Sequence, residues 1–328
     1  MAAVGVLRDP YGRPVDRLRV AVTCRCNYRC LFCHREGFRG KCSRELSVGE
    51  LLRIVRVAVR YGIRRVKLTG GEPLLRRDVF EIVRGVASME GVEEVSMVTN
   101  GYYLPGIAMR LREAGLSRVN VSLPSLDRET YRRITGVDGL DRAVAGIRDA
   151  VEAGLRPVKI NFVYLRGLNE GEVWNVIKFA EGVGADVVRV IEYHEPLPVS
   201  PRFTALHAGL AGLAAELEKI SVDMRIRKLH SRPQYVLPSG LVVELVKPMF
   251  NPRFCAACTK LRVTHDGYFR PCLLRNDNLV RIDFSDDESI ARSLVEAVKR
   301  REPYFMEGRE HGRRRNKNGR HNGQGKGV

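Results

Sequence analysis

Three cysteines near the start of the chain have a spacing that suits a metal centre. They are Cys26, Cys30 and Cys33, in the stretch CNYRCLFC. A structural zinc site takes four protein ligands, so Cys24, Cys42 or His34 would have to complete it. A [4Fe–4S] cluster held by three thiolates instead leaves one iron open to a small molecule. The spacing alone therefore indicates one of these two metal centres.

A second cysteine triplet lies near the carboxyl end of the chain. Its members are Cys255, Cys258 and Cys272, in the stretch FCAACTKLRVTHDGYFRPC. His265 lies in the same stretch and could complete a zinc site of three cysteines and one histidine. We interpret the triplet as a second [4Fe–4S] cluster, whose open iron could bind a substrate through nitrogen or oxygen.

Composition and charge narrow the class of protein. With 44% hydrophobic and 29% charged residues among 328, the chain can form a sizeable core, which excludes general disorder. No run of 18 apolar residues and no apolar signal segment is present, so we expect a cytoplasmic protein without a membrane span. In that compartment eight cysteines indicate metal binding or catalysis more than disulfides. The net charge of +18 suits a polyanionic partner such as a nucleoside triphosphate, a nucleic acid or an acidic protein.

Six apolar, β-branched runs alternate with stretches of helical periodicity. The runs are Leu18–Thr23, Val66–Thr69, Val95–Thr99, Val119–Leu123, Val158–Tyr164 and Val187–Tyr193. Helices are predicted between them over 47–62, Arg76–Met89, Pro105–Ala114, Asp141–Ala153 and Glu170–Gly184. Ser47 and Glu50 can form a capping box at the first helix, and Gly62 follows its end. The alternation predicts an α/β protein with a partial, six-unit (β/α) TIM-like barrel.

The pattern changes near residue 200. A helix is predicted over Phe203–Ile220, strands over Tyr235–Leu237 and Leu241–Val246, and a last helix over Asp287–Arg301. We therefore predict a barrel over 1–200, a smaller α+β region carrying the second triplet over 201–305, and a basic tail over 306–328. From 308 onward the tail has Val328 as its one apolar residue and carries a charge of +6, so we expect it to be disordered.

Unusual residues stand at the predicted carboxyl ends of the strands, where barrels of this type gather their chemistry. They are Cys26, Gly70-Gly71-Glu72-Pro73, Thr99-Asn100-Gly101, Ser122, Asn161 and Glu192. Glycines there would let the backbone approach a ligand closely, and Pro73 would fix the turn into the next helix. Their convergence predicts a site at one mouth of the barrel.

The C-x3-C-x2-C triplet and the GGEP segment together resemble the radical S-adenosylmethionine (SAM) superfamily. The resemblance implies that an electron from the first cluster cleaves SAM into methionine and a 5′-deoxyadenosyl radical. That radical then abstracts a hydrogen atom that ordinary bases cannot remove. The cofactors would supply this chemistry, while the protein positions them and excludes water.

Both triplets, with CTKLR beside the second, resemble the GTP 3′,8-cyclase family over residues 15–305. The resemblance implies a lyase with two [4Fe–4S] clusters and SAM. It would convert GTP to (8S)-3′,8-cyclo-7,8-dihydroguanosine 5′-triphosphate by abstraction of the ribose C3′ hydrogen, the first step of molybdenum cofactor biosynthesis. The implied partners are a low-potential electron donor of the ferredoxin or flavodoxin type and a downstream cyclic pyranopterin monophosphate synthase. A homodimer is a further possibility.

Matching the family motifs residue by residue implies the ligand contacts. SAM would contact Phe32, Gly71, Ser122 and His194, and GTP would contact Arg19, Lys67, Val98, Lys159, Lys260 and Arg262. The chain departs from the family at Cys24 and Pro124, which replace aspartates, at Val98, which replaces threonine, and at His194, which replaces methionine. It also ends in GKGV where the family often has Gly-Gly.

Two other interpretations fit part of the sequence. A radical SAM peptide maturase also carries auxiliary clusters, but usually with more cysteines than the three found after residue 250. A zinc-stabilised nucleic-acid-binding protein would explain the basic tail and the C-x2-C spacing, but not GGEP or the six-unit barrel. Iron and zinc analysis would separate these classes.

Overall fold

The six apolar runs form six parallel strands, as the sequence predicts. The computed structural model describes residues 5–38, 40, 42 and 44–306. The strands are β1 (Arg17–Thr23), β2 (Arg65–Gly70), β3 (Glu94–Thr99), β4 (Arg118–Ser122), β5 (Lys159–Tyr164) and β6 (Val187–Glu192). Each strand pairs in parallel with the next one along the chain. This order confirms the predicted partial barrel, because β6 does not pair with β1.

Helices connect the strands and cover the sheet. They are α1 (Val48–Arg60), α2 (Val79–Ala87), α3 (Ala108–Glu113), α4 (Arg128–Thr135), α5 (Leu140–Glu152) and α6 (Val173–Val183). The predicted capping box of α1 is confirmed, since Ser47 and Glu50 satisfy each other's backbone N–H. The sequence analysis missed α4, a helix of eight residues that buries Tyr131, Ile134 and Thr135.

The carboxyl-terminal region is built from short elements. They are α7 (Pro201–Leu206), α8 (Ala211–Ile220), β7 (Asp223–Arg227), β8 (Arg232–Val236), β9 (Val242–Val246), α9 (Pro252–Ala256), β10 (Lys260–Val263), β11 (Tyr268–Arg270), β12 (Val280–Arg281) and α10 (Asp287–Lys299). The predicted single helix over Phe203–Ile220 is wrong, because His207 is extended and ends α7. The buried Glu192 carboxylate accepts the Leu210 N–H at 3.2 Å, which fixes the break before α8.

Strands of the carboxyl-terminal region extend both sides of the six-stranded sheet. β10 pairs in parallel with β1, and β9 pairs in parallel with β6. Over the described residues the result is one twelve-stranded sheet in the order β12-β11-β10-β1-β2-β3-β4-β5-β6-β9-β8-β7. A domain boundary at residue 200 stays a prediction, and the predicted tail lies outside the described residues except for Met306.

The core lies between the strands and the helices. Leu51 and Ile54 of α1, Ile82 of α2 and Leu18 and Leu68 of the sheet are each at most 1% exposed. Burial of these side chains holds the helices on the sheet. In the part of the chain that the structure describes, no helix is both long and apolar enough to cross a membrane.

Candidate functional site: two cysteine triplets at adjoining cavities

The first triplet lies in the loop between β1 and α1. Cys26, Cys30 and Cys33 carry free thiols and line one cavity of about 490 Å³, named here the first cavity. The backbone N–H groups of Arg29 and Leu31 donate to carbonyls of α4 at 2.9 Å each. These bonds anchor the middle of the loop, so the three thiols are presented from a fixed backbone.

Gly70 and Gly71 hold this loop against the end of β2. Gly71 N–H donates to the Thr23 carbonyl at 2.8 Å, and the Glu72 N–H donates to the Arg25 carbonyl at 2.8 Å. A Cβ at Gly71 would lie only 2.0 Å from the Arg25 carbonyl oxygen. The glycines therefore let the backbone before Cys26 lie against the GGEP turn. This packing role is additional to the predicted contact of Gly71 with SAM.

Glu72 completes the attachment of the GGEP turn. It is 1% exposed and accepts hydrogen bonds from Thr99 Oγ1 at 2.7 Å and from the Asn100 N–H at 2.8 Å. Burial raises the pKa of Glu72 to about 7. Asn100 Nδ2 in turn donates to Asn27 Oδ1 at 2.8 Å, beside Cys26. The predicted strand-end residues of β2 and β3 thus position the cysteine loop.

We expect Gly71→Ala to displace the loop that carries the first triplet. The clash with the Arg25 carbonyl involves backbone, so it can be relieved only by moving residues next to Cys26. The expected cost is roughly 1–3 kcal/mol of stability, the usual range for overpacking. Thermal unfolding and iron content after anaerobic reconstitution check this. Gly49→Ala in α1 is the matched control, because a Cβ there meets no atom within 4 Å. Equal iron content in the two variants would contradict the argument.

The second triplet is held by a buried ion network at the amino-terminal segment. Arg13 donates to the Cys255 carbonyl at 2.8 Å, and Arg301 donates to the Cys258 carbonyl at 2.7 Å. Both arginines pair with Asp9, at 2.7 and 3.1 Å. Sequence reasoning missed this network, because its members are separated by almost 300 residues. Its effect is to fix two carbonyls of the cysteine turn and, with them, the directions of the thiols.

Cys255, Cys258 and Cys272 line a different cavity, of about 310 Å³, named here the basic cavity. Its lining includes eleven basic side chains and two carboxylates, Glu94 and Glu302. The basic residues are Arg13, Arg17, Arg19, Arg65, Lys67, Arg118, Arg189, Arg227, Arg232, Lys260 and Arg262. Such a lining suits a ligand with several negative charges.

Strand register explains why the basic groups meet. Arg19 of β1 stands beside Arg262 of β10 on one side and beside Lys67 of β2 on the other. Across the sheet, Arg189 of β6 stands beside Asn161 of β5. Arg189 was not predicted, although a charged residue inside the apolar run VVRVIE could have indicated it.

Several of the basic side chains already have carboxylate partners. The buried Glu244 pairs with Arg189, Arg227 and Arg232 at 2.6–2.9 Å. Burial by itself would raise the pKa of Glu244, but these three arginines lower it overall. Lys67 has no carboxylate within ion-pair distance among the described residues and donates to Asn120 Oδ1 at 3.1 Å. Burial and then Arg118, Arg189 and Arg19 lower its pKa well below the usual value.

Glu36 lies where the two cavities adjoin. Its carboxylate pairs with Arg19 and, at 2.6 Å, with Arg262. Arg262 lines both cavities, so this bridge forms part of the wall between them. Burial would raise the pKa of Glu36, but Arg19 and Arg262 lower it overall, so it is a charged partner of both arginines. Sequence reasoning did not identify Glu36.

The structure gathers most of the predicted ligand contacts in the basic cavity. Arg19, Phe32, Lys67, Val98, Ser122, His194, Lys260 and Arg262 all line it. Gly71 instead lines the first cavity, and Lys159 lines neither. Lys159 is 6% exposed, and burial lowers its pKa to about 6. Of the predicted strand-end residues, Glu192 supports Leu210 and does not line either cavity.

Two histidines meet at the edge of the basic cavity. The rings of His34 and His194 are 5.3 Å apart. Burial lowers the pKa of His34 to about 3 and that of His194 to about 4, so both are neutral near pH 7. His194 is further oriented by a contact of 3.2 Å between Nδ1 and the Glu192 carbonyl. Neutral rings here add no further charge to the lining.

Neither triplet is arranged as a closed zinc site. Among the residues that the structure describes, one group of three potential metal ligands has all its donor atoms within 4.8 Å of one another. It consists of Cys24, Cys42 and His265. Donors around one zinc ion would lie roughly 4 Å apart. Each triplet offers three free cysteines, and cysteine thiolates are the ligands that iron–sulfur clusters take.

The expectation that the cysteines serve metals rather than disulfides is wrong for one pair. Cys24 and Cys42 form a disulfide, with Cα atoms 5.8 Å apart, a usual separation for such a bond. Neither can therefore complete a zinc site with the first triplet while it is bonded. His34, the other predicted candidate, lines the basic cavity.

Comparison with known families agrees with this geometry. The radical SAM superfamily model matches residues 20–180, and the Molybdenum Cofactor Synthesis C model matches residues 187–307. The superfamily implies SAM and a [4Fe–4S] cluster, and the first triplet has the donor set for that cluster. Among solved structures, SuiB of Streptococcus suis bound to S-adenosylmethionine is similar, with a TM-score of 0.60 and 19% identity. This likeness covers 79% of the present chain and 60% of SuiB, and it shows the fold alone.

Curated relatives match almost from end to end. A probable GTP 3′,8-cyclase of Metallosphaera sedula is 44% identical over 307 residues, which are 90% of this chain and 96% of the relative. One of Saccharolobus islandicus is 45% identical over 306 residues, 90% of this chain and 98% of the relative. These matches do not support the nucleic-acid-binding or peptide-maturase interpretation. With the triplets, the basic cavity and these relatives in agreement, the chain belongs to the GTP 3′,8-cyclase family of radical SAM enzymes.

Proposed function

We propose that this chain converts GTP to (8S)-3′,8-cyclo-7,8-dihydroguanosine 5′-triphosphate, the first step of molybdenum cofactor biosynthesis. The observation that carries the proposal is the basic cavity, where a cysteine triplet and eleven basic side chains share one lining. A triphosphate needs positive groups, and a cluster with an open iron offers a place for a base nitrogen or oxygen. GTP supplies both features in one molecule.

Several basic side chains would bind the triphosphate, each in a different way. Lys67, without a carboxylate partner among the described residues, and Lys260 would offer compact positive charges. Arg19 and Arg262 would exchange the Glu36 carboxylate for phosphate oxygens, which they can hold with two parallel hydrogen bonds. Arg189 faces the same cavity and would extend the site beyond the contacts implied by sequence.

The first cavity would hold SAM and the cluster that cleaves it. When bound, these cofactors supply the radical that takes the ribose C3′ hydrogen. Cys26, Cys30 and Cys33 would hold three irons, and Gly71 lies at the same cavity for the predicted SAM contact. Phe32 and His194 line the adjoining basic cavity, so SAM would have to extend past the Glu36 bridge to reach them. Displacement of this bridge would open a direct path between the cavities.

The same proposal includes the second [4Fe–4S] cluster on Cys255, Cys258 and Cys272, and the predicted partners. A ferredoxin- or flavodoxin-type donor would reduce the clusters, and a cyclic pyranopterin monophosphate synthase would take the product. We also propose the cytoplasmic location, the homodimer and the division at residue 200 as expectations for this chain. The proposed reaction depends on none of these three expectations.

The direct test is anaerobic incubation of the reconstituted enzyme with GTP, SAM and dithionite. Mass spectrometry should detect a nucleotide with the mass of GTP but a different retention time. The C3′ hydrogen leaves with 5′-deoxyadenosine, and one electron and one proton taken up after cyclisation restore the mass. Formation of 5′-deoxyadenosine should accompany it. Deuterium at C3′ of GTP should appear in 5′-deoxyadenosine. Substrate-independent cleavage of SAM with unchanged GTP under all conditions would overturn the proposal.

We expect GTP binding to take up a proton at Lys67. Its pKa is lowered in the free protein, and a bound polyanion should raise it. The affinity for GTP should therefore fall as the pH rises through the pKa that Lys67 has in the free protein. The check is calorimetry between about pH 8 and pH 10 in buffers of different ionisation enthalpy. In this range the terminal phosphate is already ionised, and a lysine with a lowered pKa loses its proton before an ordinary lysine does.

The matched control for this titration is Lys67→Arg. A guanidinium stays protonated, so the variant should bind GTP with less proton uptake than the original protein. Proton release, or equal uptake by the two proteins, would contradict the assignment to Lys67.

A further inference from the structure

The Cys24–Cys42 pair lies outside both cysteine triplets. It closes the loop that contains Cys26, Cys30 and Cys33, and it lines the first cavity with them. The chemistry of the two clusters uses neither sulfur atom. Their position nevertheless places two more potential thiolates beside a site that works under reducing conditions.

His265 stands next to this pair. One of its ring nitrogens and the two sulfur atoms all lie within 4.8 Å of one another. The side chain is 3% exposed, and its buried Nε2 has no hydrogen-bond partner among the described residues. A buried imidazole nitrogen without a partner costs free energy unless a ligand or ion satisfies it.

The imidazole is held in place from two sides. The ring of Phe38 packs edge-on against it, with ring centroids 4.4 Å apart. The His265 carbonyl accepts the Leu46 N–H at 2.8 Å, which fixes the backbone. The ring is therefore a preformed neighbour of the two cysteines, and two cysteines with one histidine are ligands that zinc prefers.

We propose that Cys24, Cys42 and His265 form a third metal site, which binds a thiophilic divalent cation such as Zn²⁺ when the Cys24–Cys42 disulfide is reduced. A dithiol reductant supplies two electrons and two protons and converts the disulfide to two thiols. The cation then displaces those two protons and binds two thiolates and one neutral imidazole. The site would share the first cavity with Cys26, Cys30 and Cys33 but would use none of their sulfur atoms.

The surroundings suit such a cation. Glu45 Oε1 lies 3.9 Å from each of the two sulfur atoms, while the same carboxylate pairs with Arg25 at 3.1 Å. Two thiolates balance the charge of a divalent ion. With three protein ligands, the fourth position of a tetrahedral zinc ion is open to water. That water would donate a hydrogen bond to the Glu45 carboxylate.

The experiment uses the full-length enzyme with both iron–sulfur clusters loaded. Oxidised and dithiol-reduced samples are incubated anaerobically with zinc chloride, separated from free zinc and measured for zinc and iron. The reduced protein should retain about one zinc ion per chain, and the oxidised protein should retain none. Zinc-edge X-ray absorption should show two sulfur neighbours at about 2.3 Å and one nitrogen at about 2.0–2.1 Å.

Variants locate the site. Cys24→Ser/Cys42→Ser should lose the zinc, and His265→Ala should weaken zinc binding by roughly tenfold or more. The matched control is His311→Ala/His321→Ala, which removes the two histidines of the tail and should keep the zinc. Iron content and thermal unfolding identify any variant that fails to fold, and the absorption measurement on the unaltered enzyme needs no variant.

Three results would overturn the proposal. The reduced enzyme could retain no more zinc than Cys24→Ser/Cys42→Ser at equal iron content. Alternatively, the absorption spectrum could show a set of neighbours without two sulfurs and a nitrogen. Zinc binding that is equal before and after reduction would also overturn it, because the disulfide has no thiolate to offer.

Discussion

The Cys30→Ala variant is expected to form no detectable 5′-deoxyadenosine from SAM under dithionite. Cys30 is the central ligand of the first triplet, and its loss leaves two thiolates for the cluster. The loop itself should persist, because the bonds from Arg29 and Leu31 to α4 use backbone groups. Loss of a direct ligand should cost more than the roughly 10–100-fold seen when an outer-shell partner of a metal ligand is removed. Chromatography of anaerobic reactions measures the product.

The proposed second cluster provides the internal control for this variant. The second triplet lines another cavity, so its cluster should stay bound, and iron should fall from about eight to about four atoms per chain. SAM cleavage at the original rate in Cys30→Ala would mean that the first triplet does not hold the cluster that reduces SAM.

Elements with a local signal were predictable from the sequence. Each of the six barrel strands lies within two residues of its predicted bounds, because a buried parallel strand reads as a short apolar run. The capping box at Ser47 is likewise a contact between near neighbours. The single helix over Phe203–Ile220 failed because the carboxylate of Glu192, far from α8 in sequence, decides where that helix begins.

Pairing across long sequence separations could not be predicted in this way. β10, which carries Lys260 and Arg262, pairs with β1, which carries Arg17 and Arg19. No local sequence pattern predicts this strand pairing. The pairing nevertheless decides the function of these residues, because it brings the basic pair after the second triplet next to the first strand of the barrel.

The site shows the same division between local and distant information. Cysteine spacing identified both triplets, since the ligands of each lie close together in the chain. The supports of the second triplet were missed, because Asp9, Arg13 and Arg301 meet it only in the folded protein. Glu36 was missed for a different reason: a lone glutamate in a loop is ordinary until it is found between two arginines.

Cys258→Ala should separate SAM cleavage from cyclisation. Cys258 lines the basic cavity, and the first triplet lines the adjoining one, so the two sites can be damaged independently. The variant should still form some 5′-deoxyadenosine when dithionite is present. Cyclic product should fall by roughly a hundredfold or more, because GTP would lose the open iron that we propose orients its base. Parallel measurement of 5′-deoxyadenosine and of the cyclised nucleotide gives both values.

The matched partner of this experiment is Arg301→Lys. Arg301 is 1% exposed and donates to the Cys258 carbonyl while pairing with Asp9, so the lysine keeps the charge but loses the two-armed contact. We expect an intermediate loss of product, with SAM cleavage again retained, because the cysteine turn is loosened without loss of a ligand. Unchanged product in Cys258→Ala would mean that GTP does not depend on the second triplet, and the basic lining alone would then have to position it.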